Sequence, residues 1–81
     1  MRVKVKMPKL GLTMTEGTIV EWKKAVGDPV AAGEVLLVIE TEKTEVELEA
    51  PASGTLVEIL GEVKAVYPIG EILAVIDMRE G

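Results

Sequence analysis

A chain of 81 residues with a net charge of −5 and neither cysteine nor histidine makes one small domain. It excludes disulfide bracing, thiolate-bound metals and any Ser-His or Cys-His nucleophile pair. The acidic excess opposes a phosphate-backbone partner, so nucleic acid is not an expected ligand. With no Phe, one Trp and one Tyr, the core has to be aliphatic, and Val, Ile and Leu favour pleated strands.

The chain opens on strict alternation from Arg2 to Met7, with Val3, Val5 and Met7 on one face and Arg2, Lys4 and Lys6 on the other. That period of two predicts a half-buried strand. The opening lacks the apolar stretch of a signal peptide, and no later run approaches the roughly 20 apolar residues of a membrane helix. No membrane partner is expected, and the cytoplasm is the expected compartment. A mixed loop follows at Lys9 to Glu16, then a short strand at Thr18 to Lys23. The turn Gly27-Asp28-Pro29 precedes the apolar run Val35 to Ile39, which suits a strand covered on both sides.

Between Ile39 and Val46 the apolar pattern gives way to Glu40-Thr41-Glu42-Lys43-Thr44-Glu45. Polar residues between two strands read as a β-hairpin, with Lys43 at or near its tip. There is no Asn-Gly of a type I′ turn, so a connection built on a type I turn is expected. Glu45 to Ala50 alternates again, with Val46, Leu48 and Ala50 inward and Glu45, Glu47 and Glu49 outward. Pro51 to Gly54 is a turn, and it gives Ser53 a turn role. Strands then follow at Thr55 to Leu60 and Ile72 to Ile76. Residues 1–77 form the expected domain, with 78–81 a tail or the start of a linker. Breakers this frequent rule out ordinary helices and predict an all-β sandwich or flattened barrel.

The two halves repeat. Gly17–Glu21 (GTIVE) matches Gly54–Glu58 (GTLVE), and Gly33–Ile39 (GEVLLVI) matches Gly70–Ile76 (GEILAVI), both at a spacing of 37 (54 − 17 and 70 − 33). The preceding strands, Val3–Pro8 and Val46–Pro51, match at a spacing of 43 (46 − 3). The first copy therefore carries six extra residues (43 − 37), and they fall in the loop Lys9 to Glu16. Two copies are too few for a solenoid, so they are expected to fold against each other as two sheets related by a quasi-twofold axis. Trp22 aligns with Ile59 and reads as a packing residue. Met14, alone in the surplus loop, reads as a gap-filler or a half-exposed contact.

A lysine in a polar turn is ordinarily a solubilising residue. An alkylammonium with an ordinary pKa of about 10.4 is also a poor nucleophile at pH 7. What Lys43 offers is presentation, a primary amine held out on a turn, and any acylation would require an activated donor and an enzyme. The abundant carboxylates alternate along strands as a solvated face, and the glycines are spread as turn-formers. Independent catalysis is not expected, and no metal site is.

The ordered set MPKLGLTMTEGTI (7–19), Trp22, Gly27-Asp28, Gly33, IETEK (39–43) and APASG (50–54) resembles the lipoyl domain of the acyltransferase component of 2-oxo acid dehydrogenase complexes. The similarity runs over about residues 3 to 77. It implies a flattened barrel or sandwich of two four-stranded antiparallel sheets. By the same resemblance Lys43 receives lipoic acid in amide linkage as the covalent cofactor site. A thiamine-dependent 2-oxo acid decarboxylase then acylates the dithiolane, the acyltransferase core takes the acyl group to coenzyme A, and dihydrolipoamide dehydrogenase reoxidises the arm. A lipoate-protein ligase or lipoyl transferase loads it. The resemblance further implies that Glu42 and Thr44, with Leu12, Thr13 and Met14 of the surplus loop, serve recognition by partners.

This chain departs from the family pattern in two places. Glu42 and Thr44 stand where Asp and Ala or Val are usual, and Lys64 stands where a second Gly-Asp turn would begin, which predicts a differently shaped loop there. The rivals are a biotinyl carrier, which usually has Met on both sides of the lysine, and an unmodified hammerhead-type interaction module. The glycine-cleavage carrier is larger than this chain. The 2-oxo acid is not specified by these residues, and the brief tail is compatible with excision from a longer acyltransferase.

Overall fold

A computed structural model describes residues 1–42 and 44–78. Eight strands run in chain order as β1 (Arg2–Lys6), β2 (Glu16–Trp22), β3 (Pro29–Val30), β4 (Val35–Glu40), β5 (Glu45–Glu49), β6 (Gly54–Ile59), β7 (Val66–Pro68) and β8 (Ile72–Met78). They form two four-stranded antiparallel sheets, ordered β1-β8-β6-β3 and β5-β4-β2-β7. Among the described residues there is no helix long and apolar enough to cross a membrane.

The sequence repeat is the fold's symmetry. Replacing each strand of the first sheet by its repeat partner (β1 by β5, β8 by β4, β6 by β2, β3 by β7) gives the order of the second sheet. The irregularities repeat as well. The β2–β4 register breaks between Ile19 and Glu21, and β6–β8 breaks between Leu56 and Glu58, at equivalent positions. The β1–β8 and β4–β5 ladders break beside Leu73 and Leu36, which are both fully buried. A bulge bends its strand and re-aims one side chain. Here the paired bulges turn consecutive leucines, Leu36 and Leu37, into the space between the sheets.

The core is aliphatic, as composition requires: Val5, Met7, Ile19, Leu36, Leu37, Ile39, Leu56, Leu73 and Ile76 are buried. Alternation in β1 and β5 runs as expected, with Arg2, Lys4, Lys6, Glu45, Glu47 and Glu49 exposed. Leu48 and Val46 point inward but are only half-buried, because β5 is an edge strand. Trp22 packs on the core and donates its indole N–H to the Gly61 carbonyl at 2.9 Å. Ser53 has the expected turn role, its Oγ accepting the Ala32 N–H at 2.9 Å. Gly54 is required by close approach, since a Cβ there would strike the Asp77 carbonyl.

The loop at Lys64 does not differ in shape, contrary to expectation. Lys64 adopts φ 75°, in the same left-handed region as its counterpart Gly27 at 97°. Both N–H groups donate across to the other copy, Gly27 to Leu56 O and Lys64 to Ile19 O, each at 2.7 Å. Those inter-copy bonds impose the turn, and the lysine accepts a cost of about 1 kcal/mol. A second clamp lies at the β3–β4 turn. The Glu34 carboxylate takes a hydrogen bond from Lys24 Nζ at 2.9 Å and another from the Ala31 N–H at 3.1 Å. Lys24 first, and then the backbone donor, hold it below its ordinary value of 4.5.

Leu56→Ala should cost about 3–5 kcal/mol and the half-buried Leu48→Ala about 2 kcal/mol in urea unfolding. Equal losses would contradict the assigned burial. Lys64→Gly should raise Tm by about 4–8 °C, the equivalent of about 1 kcal/mol in a domain of this size; a lower Tm would place residue 64 outside the left-handed region. A depressed folded pKa means the folded chain binds the Glu34 proton less readily than the unfolded chain. That stabilisation is complete above the unfolded value and lost as pH falls through the lower folded one. Lys24→Met should accordingly make the Tm–pH curve shallower below about pH 4.5, and an unaltered acid limb would show that the pair contributes nothing.

Candidate functional site

The hairpin joining β4 to β5 carries the candidate site. Its strands pair through Ile39 with Val46 and Glu40 with Glu45, so only residues 41–44 lie beyond the last paired position. The Thr41 N–H donates to the Thr44 carbonyl at 2.8 Å, and the Thr41 hydroxyl donates to the same oxygen at 3.1 Å. The hairpin is therefore closed between Thr41 and Thr44. Glu42 is not in the left-handed region, which rules out the type I′ turn, as expected from the absence of Asn-Gly. Glu42 and Thr44 are exposed. Lys43, on which the sequence reading centres, lies outside the described residues, as do residues 79–81 of the expected tail.

The surplus loop lies alongside this hairpin. Met14 is its anchor: the side chain packs on the core beneath, while its sulfur accepts the Leu10 N–H at 3.2 Å. A Met14 N–H bond to Gly11 O at 3.3 Å tightens the loop, and Ile69 N–H ties its end at Thr15 O at 3.1 Å. Leu12, at the crest, is 96% exposed. A side chain that large and apolar gains nothing from water, and a loop anchored at Met14 holds it there. Leu10, Thr13 and Met14 line one side of a groove whose other side is Glu40, Thr41, Glu42 and Thr44.

Of the residues singled out from sequence, the fold brings Thr13, Met14, Glu42 and Thr44 to one groove. Leu12 stands outside it, facing solvent. Sequence reading missed Thr41 and the facing of Glu40 with Glu45. Glu40 and Glu45 sit directly opposite each other, and like charges in that relation oppose strand pairing. The equivalent pair at the other end of the molecule is Asp77 with Arg2, opposite in sign, with the amino terminus 3.7 Å from the Asp77 carboxylate. The repeat alignment was the signal that could have shown this contrast. Among the described residues no cluster of acidic side chains is arranged to hold a metal ion.

The arrangement suits presentation: among the described residues the polar groups of the groove are carboxylates, threonine hydroxyls and backbone. A group covalently attached at the hairpin would need no enclosing pocket, and the exposed neighbours Glu42 and Thr44 leave room for one.

The biotin–lipoyl family model, described as "Biotin-requiring enzyme", matches residues 3–76. The chain belongs to the biotin–lipoyl family. This biotin–lipoyl domain is 46% identical over 70 residues to the dihydrolipoyllysine-residue acetyltransferase component of the pyruvate dehydrogenase complex of Corynebacterium glutamicum, a match covering 86% of the chain and 10% of that protein. The domain thus spans about a tenth of the length of that relative. Among solved structures it superposes on the lipoyl domain of the 2-oxoglutarate dehydrogenase complex from Azotobacter vinelandii with TM-score 0.77 and 29% identity, covering 93% of this chain and 95% of that one. It also superposes on part of a single-chain, multi-domain long-chain acyl-CoA carboxylase with TM-score 0.81 and 25% identity, covering 99% of this chain and 7% of that one.

Proposed function

We propose that this biotin–lipoyl domain is a covalent lipoyl carrier, with Lys43 as the attachment residue and lipoic acid as the group attached. The observation that carries the reading is the pairing of two facts. A relative that is 46% identical over 70 residues is a dihydrolipoyllysine-residue acyltransferase component. The hairpin closed by the Thr41–Thr44 bond has exposed residues, Glu42 and Thr44, next to the lysine in sequence. The amide-linked dithiolane would supply what the chain lacks, a carrier for an acyl group and two electrons. The domain's own residues would present it and be recognised, without catalysing.

Recognition is assigned to Glu42 and Thr44 beside the lysine and to Leu12, Thr13 and Met14 in the neighbouring loop. The groove supports this, since it puts Thr13 and Met14 on one wall and Glu42 and Thr44 on the other. Leu12 offers a partner an apolar contact, while Met14 supports the loop from below. The partners this implies are a lipoate-protein ligase or lipoyl transferase, a thiamine-dependent 2-oxo acid decarboxylase, the acyltransferase catalytic core and dihydrolipoamide dehydrogenase. The compartment assigned is the cytoplasm. The substrate is taken only to the 2-oxo acid class, since the similar proteins serve both pyruvate and 2-oxoglutarate complexes.

The biotinyl alternative has one structural likeness behind it, the acyl-CoA carboxylase. Against it stand Glu42 and Thr44, where biotin carriers usually have methionine. Intact-mass measurement after co-expression with a lipoate ligase and a biotin ligase decides between them. The expected outcome is a single lipoyl adduct, abolished in Lys43→Arg with Tm unchanged within about 2 °C. A biotin adduct would transfer the domain to the carboxylase class. An unaltered mass, with both ligases active on control substrates, would reject the carrier role.

A further inference from the structure

The quasi-twofold relation provides an internal control for the lysine hairpin. By the repeat spacings, Thr41 corresponds to Met78 (78 − 41 = 37) and Thr44 to Met1 (44 − 1 = 43). The backbone bond is the same at both ends: Thr41 N–H to Thr44 O at 2.8 Å, and Met78 N–H to Met1 O at 2.7 Å. Everything added to that bond differs. At the Met78 end, closure is helped by charge, with Arg2 facing Asp77 and the amino terminus beside it. At the hairpin end, Glu40 faces Glu45 and closure is opposed. There a side chain supplies what charge does not. The Thr41 hydroxyl donates a second hydrogen bond to the Thr44 carbonyl at 3.1 Å, whereas a methionine has no donor to give.

We propose that Thr41 is a positioning residue for modification of Lys43. Its hydroxyl and its backbone N–H together hold the Thr44 carbonyl, so the modifying enzyme meets a hairpin already closed between Thr41 and Thr44. The inference rests on the carrier reading above. The step it serves is acyl transfer from an activated lipoyl donor, a mixed anhydride of the lipoyl carboxylate with a phosphate. The Lys43 nitrogen bonds to the acyl carbon, the acyl–oxygen bond breaks, the phosphate leaves with its electron pair, and the amine's protons pass to solvent until a neutral amide remains. Thr41 acts in none of those bond changes. It acts on the fraction of hairpins found closed, and an enzyme that binds only the closed form sees its apparent affinity scaled by that fraction.

The test is steady-state lipoylation of the purified apo-domain by a lipoate ligase, comparing the parent, Thr41→Val and Thr41→Ser. Losing one neutral hydrogen bond lowers the closed-to-open ratio about five-fold, which predicts a KM for the domain about three-fold higher in Thr41→Val where the two forms are comparably populated, with kcat within about two-fold of the parent. Thr41→Ser, which restores the donor, should return KM to within about two-fold of the parent. Non-enzymatic acetylation of Lys43 by a small activated ester should proceed at the same rate in all three, since that reaction requires no docking. Should Thr41→Val fail to fold, Thr41→Ala makes the same deletion. A parental KM in Thr41→Val, or equal impairment in the Val and Ser variants, overturns the proposal. A parent domain that takes no lipoyl group at all instead overturns the carrier reading, and this inference with it.

Discussion

The interleaved antiparallel pairing of the two repeats is the constraint on which everything else depends. Each sheet is a mixture, with β1 and β3 from the first copy bonded to β8 and β6 from the second, and the reverse arrangement in the other sheet. An aliphatic chain of this size, without disulfides or aromatic bulk, has a limited apolar area to hide. Interleaving lets both copies contribute to one shared core, and the paired bulges beside Leu36 and Leu73 add extra leucine side chains to it. Backbone bonds between the copies fix even the turns, strongly enough to hold Lys64 in a conformation that glycine normally takes.

On that rigid frame the surplus loop and the β4–β5 hairpin are the main breaks in the symmetry, and they are adjacent. Strand β1 starts at the Met1–Met78 bond and runs to the opposite end, where it delivers the loop beside the hairpin. Two copies of one design have thus diverged at a single end. There the loop adds Leu12 and Met14, the strand register opposes Glu40 with Glu45, and Thr41 adds a hydroxyl. Elsewhere the copies keep their bonds almost one for one, even where the side chains change. In the first copy, the Ala25 N–H bonds to the Asp28 carboxylate at 2.9 Å; in the second, the Glu62 N–H bonds to the Tyr67 hydroxyl at the same distance.

Much of this was legible in the residues, for physical reasons that can be named. Alternation exposes a half-buried edge strand directly, so the facing of β1 and β5 could be read residue by residue. The spacing of 37 between matched glycines carried the symmetry. Strands β3 and β7, of two and three residues, were invisible to periodicity and each contains a proline, Pro29 or Pro68, which marks an edge. The shape of the Lys64 loop was misread because local preference favours glycine, whereas bonds from the other copy decide the conformation. Thr41 was overlooked because one threonine in a polar run carries no pattern. Its role is visible only once register makes Thr44 its neighbour and symmetry sets it beside Met78.

The same interleaving limits what a single copy could form. A solitary copy, β1 to β4 alone, would hold β2 against β4 but leave β1 and β3 at opposite margins of a half-empty layer, since β8 and β6 are what lie between them. It could fill that layer only by trading segments with an identical twin. On this geometry a polypeptide of one copy's length completes both layers only as an interleaved pair, whereas one chain carrying both copies leaves its two ends free to differ.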